Sequence, residues 1–240
     1  MTRDESAKST PWMTYHGVDL FQVPHSTVYF YTTPHMAIDA DGAPNAYNPD
    51  DSGLDALGNA EYPNGHWRSI LVPDPRNPAT PYVQPAGDPF PGFFVAMTSL
   101  QDGTKAATDT RRYSDARTVP YVVFPGGFYR AHGTGATGDL VMVRNKNTGK
   151  TSAAIIGDIG PPHDPLGEVS VGLAVNLGGH NPNPRNGHGA PDGPFEYVVF
   201  PGSRGDPSWP LTLAEIQERA SALLTQIGGW PGDLSASSAT

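Results

Sequence analysis

Glycine and proline punctuate this sequence so often that long helices have no room: 28 glycines and 26 prolines stand among 240 residues, against about 7% and 5% in ordinary chains. Each proline removes a backbone donor, and each glycine adds entropic cost to a regular element. Helical bundles and coiled coils are excluded, and short strands joined by long loops are expected. Hydrophobic residues still make up 37% of the chain, enough to argue against wholesale disorder and to fill one full core.

Fifteen Lys and Arg against 24 Asp and Glu give a net charge of -9. A module that tracks phosphates would work against that field, so no nucleic-acid partner is expected and a cationic one fits better. The absence of cysteine excludes disulfides, thiolate nucleophiles and Cys-ligated zinc. Residues 1–12 carry scattered charge where an export signal needs an apolar core, and no apolar run approaches the roughly 18 residues of a membrane span. Neither feature is expected here. The eight histidines show no HExxH or compact ligand spacing, there is no GxSxG, and GTGATG (residues 133–138) lacks the lysine of a phosphate loop. No metal and no organic cofactor are therefore expected.

Residues 1–11 and 231–240 read as a flexible start and a loose tail around a single domain at 12–230. DLVMVR (139–144) and TSAAIIGDI (151–159) flank a run of turn formers and predict a hairpin, with Asp158 near the end of its second strand. Val169, Leu173 and Leu177, followed by Gly178 and Gly179, predict a short helix from about Glu168 to Leu177. TLAE (212–215) is a capping box ahead of a stripe of Leu213, Ile216, Ala220, Leu223, Leu224 and Ile227, which predicts a final helix. The run YVVFPG occurs at Tyr121 and again at Tyr197. It fits either a weak pseudo-twofold repeat within a small barrel or two ordinary sheet strands with similar turns.

The segment GDIGPPHDPLGEVS (157–170) places Asp158 and Glu168 on either side of a Pro- and Gly-rich loop. Hydrolysis of a glycosidic bond needs a proton donor and a second carboxylate held on fixed elements flanking one bond. The same residues also fit a turn former and an acid favoured by a helix dipole. A second acidic cluster, Asp39 and Asp41 in IDADG followed by Asp50, Asp51 and Asp55, lacks the Glu that would close a calcium loop. It reads as an acidic wall for a cationic sugar or as a solvated turn.

In combination, IDADGAP (38–44), GLDALGNA (53–60) and GDIGP with GEVSVGLA (157–174) resemble the fungal-type chitosanases of glycoside hydrolase family 75, over about residues 30–205. The resemblance implies an endo-acting, inverting hydrolase of β-1,4-linked glucosamine polymers, with Asp158 and Glu168 in the catalytic positions. Asp39 and Asp41 match acids of the family's first motif and become candidates for gripping protonated amines through charge-assisted hydrogen bonds. Glu168 is assigned as acid and Asp158 as base. The chain departs from the fungal members in its charged start and its lack of cysteine.

The expected fold is mostly β: a small six-stranded, double-psi-like barrel with two or three peripheral helices and long loops. The expected partner is a cationic polysaccharide, chitosan or a chito-oligosaccharide, met by a monomer without cofactor or membrane, and outside the cell if the substrate is polymeric. The alternatives are an enzyme acting on peptidoglycan or another amino-sugar polymer, and a catalytically silent carbohydrate-binding protein.

Overall fold

The computed structural model describes residues 9–236, and over them the architecture is mostly β. The strands are β1 (Thr10–Tyr15), β2 (Val18–Gln22), β3 (Tyr29–Thr33), β4 (Ala37–Asp39), β5 (Pro73–Asp74), β6 (Asn77–Pro81), β7 (Tyr121–Pro125), β8 (Leu140–Asn145), β9 (Thr151–Gly160), β10 (Glu168–Ser170) and β11 (Phe195–Phe200). The helices are α1 (Gly126–Tyr129), α2 (Val171–Asn176), α3 (Leu213–Gln226) and α4 (Pro231–Ala236). Nine strands form one sheet in the order β1-β2-β3-β11-β8-β9-β7-β10-β4, while β5 and β6 make a separate ribbon. Only α3, at 14 residues, exceeds two turns. No helix among the described residues is long and apolar enough to cross a membrane.

Parts of the two expected flexible ends lie in regular elements. Residues 10–11 belong to β1, where the neighbouring Trp12 packs 4.8 Å from the Tyr29 ring, and residues 231–236 form α4. The remainder of both expected flexible ends, 1–8 and 237–240, lies outside the described residues.

The hairpin forms as the sequence predicts, with β8 and β9 antiparallel from Leu140 opposite Ile155 to Arg144 opposite Thr151. The Asn145 side chain accepts the Asn147 and Thr148 amides at 3.0 and 3.3 Å, and Gly149 supplies the positive φ of 72° that the turn needs. The two YVVFPG runs lie on β7 and β11, which point the same way on either side of this hairpin. Yet Tyr121 and Val123 face one core cluster, whereas Tyr197 and Val199 face the other. β7 has one parallel and one antiparallel neighbour and β11 two antiparallel ones. The shared run therefore marks strands buried on both faces, with different pairings.

The sheet is strongly curled, and chain length alone requires it. β3 and β4 are six positions apart in the sheet order, about 29 Å if the sheet were flat. The residues that join them, 34–36, span at most about 14 Å from strand end to strand start. The edge carrying β10 and β4 therefore folds back toward β3. The Ala37 amide donates to the Gly167 carbonyl at 3.2 Å, and a Cβ on Gly167 would lie 2.4 Å from the His35 carbonyl oxygen. Inside the curl, Leu20, Tyr31, Ile38, Val122, Val143, Ile156, Val169 and Val199 share one buried cluster. The opposite face is covered by loops bearing Trp67, Leu71, Phe94 and Leu100, and by Ile216 and Ala220 of α3. No ladder among the described residues pairs β4 with β3, so the hydrogen bonding does not establish the closed six-stranded barrel.

The C-terminal helix is held to the sheet by one guanidinium and by the Gly232 amide, which donates to Glu196 Oε1 at 2.9 Å. Arg144 bonds its cross-strand neighbour Glu196, which has no exposed surface, and reaches Asp233 of α4 at 2.6 and 2.8 Å. Its guanidinium also lies 4.7 Å from the Trp230 ring. Arg144→Ala strands a buried carboxylate and is expected to cost about 3–5 kcal/mol, lowering the melting temperature by at least about 6 °C. Asp233→Asn, on the exposed side of the same guanidinium, should cost under about 1 kcal/mol. Thermal denaturation followed by circular dichroism compares the two, and equal losses would contradict the assignment of the burden to Glu196.

Candidate active site

Asp39, Asp41, Asp158 and Glu168 all line one cleft of about 540 Å³, together with Asp55, Glu61 and Asp164. Among the described residues no Lys or Arg lines it, and His66 is its one histidine. Four residues from two distant stretches of chain meet where β9, β7, β10 and β4 lie side by side in the sheet.

Strand register sets the two proposed catalytic groups. Val123 of β7 pairs with Glu168 on one side and with Asp158 on the other, which separates their Cα atoms by two strand spacings, about 10 Å. Glu168 thus stands on a strand, which corrects the predicted helix start. Gly167, at a φ of 118°, turns the chain into a three-residue ladder shared with β7 and β4. The helix begins only after Ser170, whose hydroxyl caps the Leu173 amide at 3.1 Å. Val169 and Leu173 keep their expected spacing and share one cluster, the first from a strand and the second from a helix.

Asp158 reaches the cleft through a bulge. Val122 pairs with Ile156 but Val123 with Asp158, so Gly157 is an extra residue in β9. Ile156 faces the interior of the curl, and strict alternation would send Asp158 there too. A Cβ on Gly157 would lie 2.6 Å from Cβ and Cγ of Tyr121, so only glycine fits beneath that ring. The Tyr121 hydroxyl in turn reaches Asp39. In the IDADG loop, Asp39 Oδ1 accepts the Asp41 amide at 2.9 Å. Gly42 passes so close to the Ser114 carbonyl that a Cβ would stand 2.2 Å from it.

Counting protons on the phenols shows how these acids coexist. The Tyr121 hydroxyl lies 2.8 Å from Asp39 Oδ2 and 2.9 Å from the Asp41 carbonyl oxygen. The Tyr47 hydroxyl lies 2.9 Å from Asp41 Oδ1 and 3.1 Å from Asp55 Oδ2. Each phenol has one proton to give, so satisfying both contacts requires a proton on a carboxyl. Burial first, and then the charge of Asp158, push Asp39 up to about 7. Burial, Asp39 and Asp158 raise Asp41 well above the usual carboxylate range. Burial also raises Asp55, against hydrogen bonds from Ala56, Asn59 and Tyr47.

Glu168 and Asp158 differ in what opposes their burial. Burial followed by the charges of Asp39 and Asp158 holds Glu168 well above the ordinary glutamate range, and no described side chain or amide offers it a hydrogen bond among those found. Asp158 is also raised by burial, but its Oδ1 accepts Ser99 Oγ at 2.6 Å and the Ser99 and Ile159 amides at 2.8 Å each. The arrangement therefore favours a proton on Glu168 and a charge on Asp158. One carboxylate oxygen from each of Asp39, Asp41 and Asp158 lies within 4.8 Å of the others, so this trio is where a cation would be held. Oδ1 of Asp158 and both oxygens of Asp39 also take part in hydrogen bonds.

Tyr47, Ser99, Tyr121 and Gly157 carry this geometry and were not singled out from sequence. A glycine inside a strand pattern immediately before an acid is the one signal that pointed to the bulge. Ser99 sits in a loop without a motif.

Gly157→Ala is expected to displace Tyr121 and Asp158 together, destabilising the fold by about 1–3 kcal/mol and abolishing whatever activity depends on Asp158; native stability in the alanine variant would refute the packing argument. Asp39 supplies a second expectation. Its folded value lies above the unfolded one, so the folded state binds the extra proton and stability is lost as pH rises from about 4 to about 7. Melting temperatures measured across that window should fall, and Asp39→Asn should flatten the slope; an unchanged slope counts against a protonated Asp39. No known family model matches the chain, and no similar protein was found among those curated.

Proposed function

We propose that this protein is an inverting, endo-acting hydrolase of β-1,4-linked glucosamine polymers such as chitosan. The observation that carries the reading is the pair of acids flanking Val123 across two strand spacings and opening into one cleft whose charged side chains, among the described residues, are all carboxylates. Inversion requires a protonated acid and an ionised base about 6.5–9.5 Å apart, with a water between base and sugar. Two strand spacings are compatible with that room. Glu168 gives its proton to the glycosidic oxygen as the bond to the anomeric carbon breaks. A water attacks that carbon from the opposite face and passes its proton to Asp158. Solvent then returns the proton to Glu168.

Asp39 and Asp41 are the proposed grips for the substrate's ammonium groups, where a cation would relieve the repulsion that now holds protons on the carboxyls. Peptidoglycan, whose acyl and peptide substituents replace amines by neutral and anionic groups, fits an all-acid cleft less well. The sheet fits the six-stranded, double-psi-like barrel of this reading if β3 and β4 count as one bent strand beside β11, β8, β9, β7 and β10. The short connection at 34–36 supports that grouping.

The decisive measurement is reducing-end release from highly deacetylated chitosan, with anomeric configuration followed by proton NMR. Asp158→Asn and Glu168→Gln are each expected to lower kcat/KM by about 10²–10⁴-fold. Glu168→Gln should also raise the melting temperature at pH 7, because it removes a buried acid from among like charges, which separates lost chemistry from lost folding. Full activity in either variant would end the paired-acid reading. Chitosan binding without cleavage by the intact protein would favour a silent binding protein.

A further inference from the structure

We propose that Ser99 is the positioning residue of the base: it turns Asp158 so that Oδ1 is committed to the loop and Oδ2 is left for the attacking water, and it keeps the carboxylate charged. The inference rests on the reading of Asp158 as the base. All three hydrogen bonds to Asp158 fall on Oδ1, two of them from Ser99 through its amide and its hydroxyl. Among the described residues none of the hydrogen bonds found reaches Oδ2.

Ser99 is exposed to the cleft, yet its neighbours fix it. Thr98 and Leu100 are both 3% exposed, Thr98 Oγ1 donates to the Leu100 carbonyl at 2.7 Å, and the Leu100 amide donates to Gly157 at 2.9 Å. The extra residue of the β9 bulge therefore anchors the loop one residue from the serine that bonds Asp158. The ionisable groups facing Asp158 are Asp39 of β4, Asp41 of the loop that follows, Glu168 of β10 and the Tyr121 hydroxyl of β7, none of them cationic, and among the described residues no Lys or Arg lines the cleft. Donated hydrogen bonds are the available means of holding its charge, and Ser99 supplies two of the three.

The test compares the wild type, Ser99→Ala and Ser99→Thr in two ways. The first is the pH dependence of kcat and KM on soluble glucosamine oligomers, and the second is the titration of the Asp158 carboxyl by carbon-13 NMR. In Ser99→Ala, kcat is expected to fall about ten-fold with KM changed by less than about two-fold, and the acid limb of the profile to move up by about one pH unit. Ser99→Thr, which keeps the hydroxyl, should restore both. A loss of rate with an unmoved acid limb, or a loss the threonine variant does not restore, would overturn the positioning role. If the wild type cleaves no glucosamine oligomer, the hydrolase reading fails by itself and the NMR titration decides the rest. Asp158 titrating higher in the alanine variant sustains its dependence on Ser99, and an unchanged titration refutes it.

Discussion

Because side chains alternate along a strand, the face on which a residue emerges is fixed by counting, and only an inserted residue can change the count. Gly157 is that insertion, and several features of the cleft depend on it. It brings Asp158 to the face occupied by Val123 and Glu168. It leaves the space over its own Cα for the Tyr121 ring, whose hydroxyl reaches Asp39. Its carbonyl receives Leu100, which docks the loop carrying Ser99. A side chain larger than hydrogen would disturb these together, since they share one point of close approach. Strand pairing supplies the other half of the site by setting β10 beside β7 and β4 beside β10.

The cleft is held open against its own electrostatics. Asp102 shows how differently the same residue type behaves when donors and a cation are provided: hydrogen bonds from Thr104 and Lys105 hold it down to about 2. Among the described residues no Lys or Arg lines the cleft, and Asp39 moves in the opposite direction, up to about 7. Like charges in a partly desolvated space cost free energy, so the scaffold beneath must supply it. It does so through clusters of buried aromatic and branched side chains on both faces of the strands that bear the acids. Rigidity of that kind is also what would hold the two proposed catalytic carboxyls at a fixed separation.

Much of the framework is legible in the sequence because it is local. Turn formers between two apolar runs specify the β8–β9 hairpin, and Thr212 and Glu215 form the capping box that starts α3. The four acids singled out from their motifs meet in one cleft. What escapes local reading is decided by partners far along the chain. Glu168 and Val169 have a helix-like spacing with Leu173 and Leu177, but ladders to Val123, Val122, Ala37 and Ile38 draw the first two into a strand. The repeated YVVFPG run looks like a duplication and yet faces opposite clusters in its two copies. Ser99 and Tyr47 lie outside any pattern, because their roles exist only once distant loops are packed together.

In the proposed reaction the same repulsion has two uses that must be kept apart. Glu168 needs to retain a proton, whereas Asp158 needs to lose one and Asp39 and Asp41 need charge to hold ammonium groups. A cation placed equally near all four would lower every one of them and strip the proton from the acid along with the base. The trio is the tighter group: Asp39, Asp41 and Asp158 bring their oxygens within 4.8 Å of one another and Glu168 does not join them, although the charges of Asp39 and Asp158 reach it. Coulomb interaction weakens with distance, so an ammonium seated against the trio stabilises its charges more than it perturbs Glu168. On this reading substrate binding sharpens the division of labour between the acids, and the base gains charge at the step where the acid must still hold its proton.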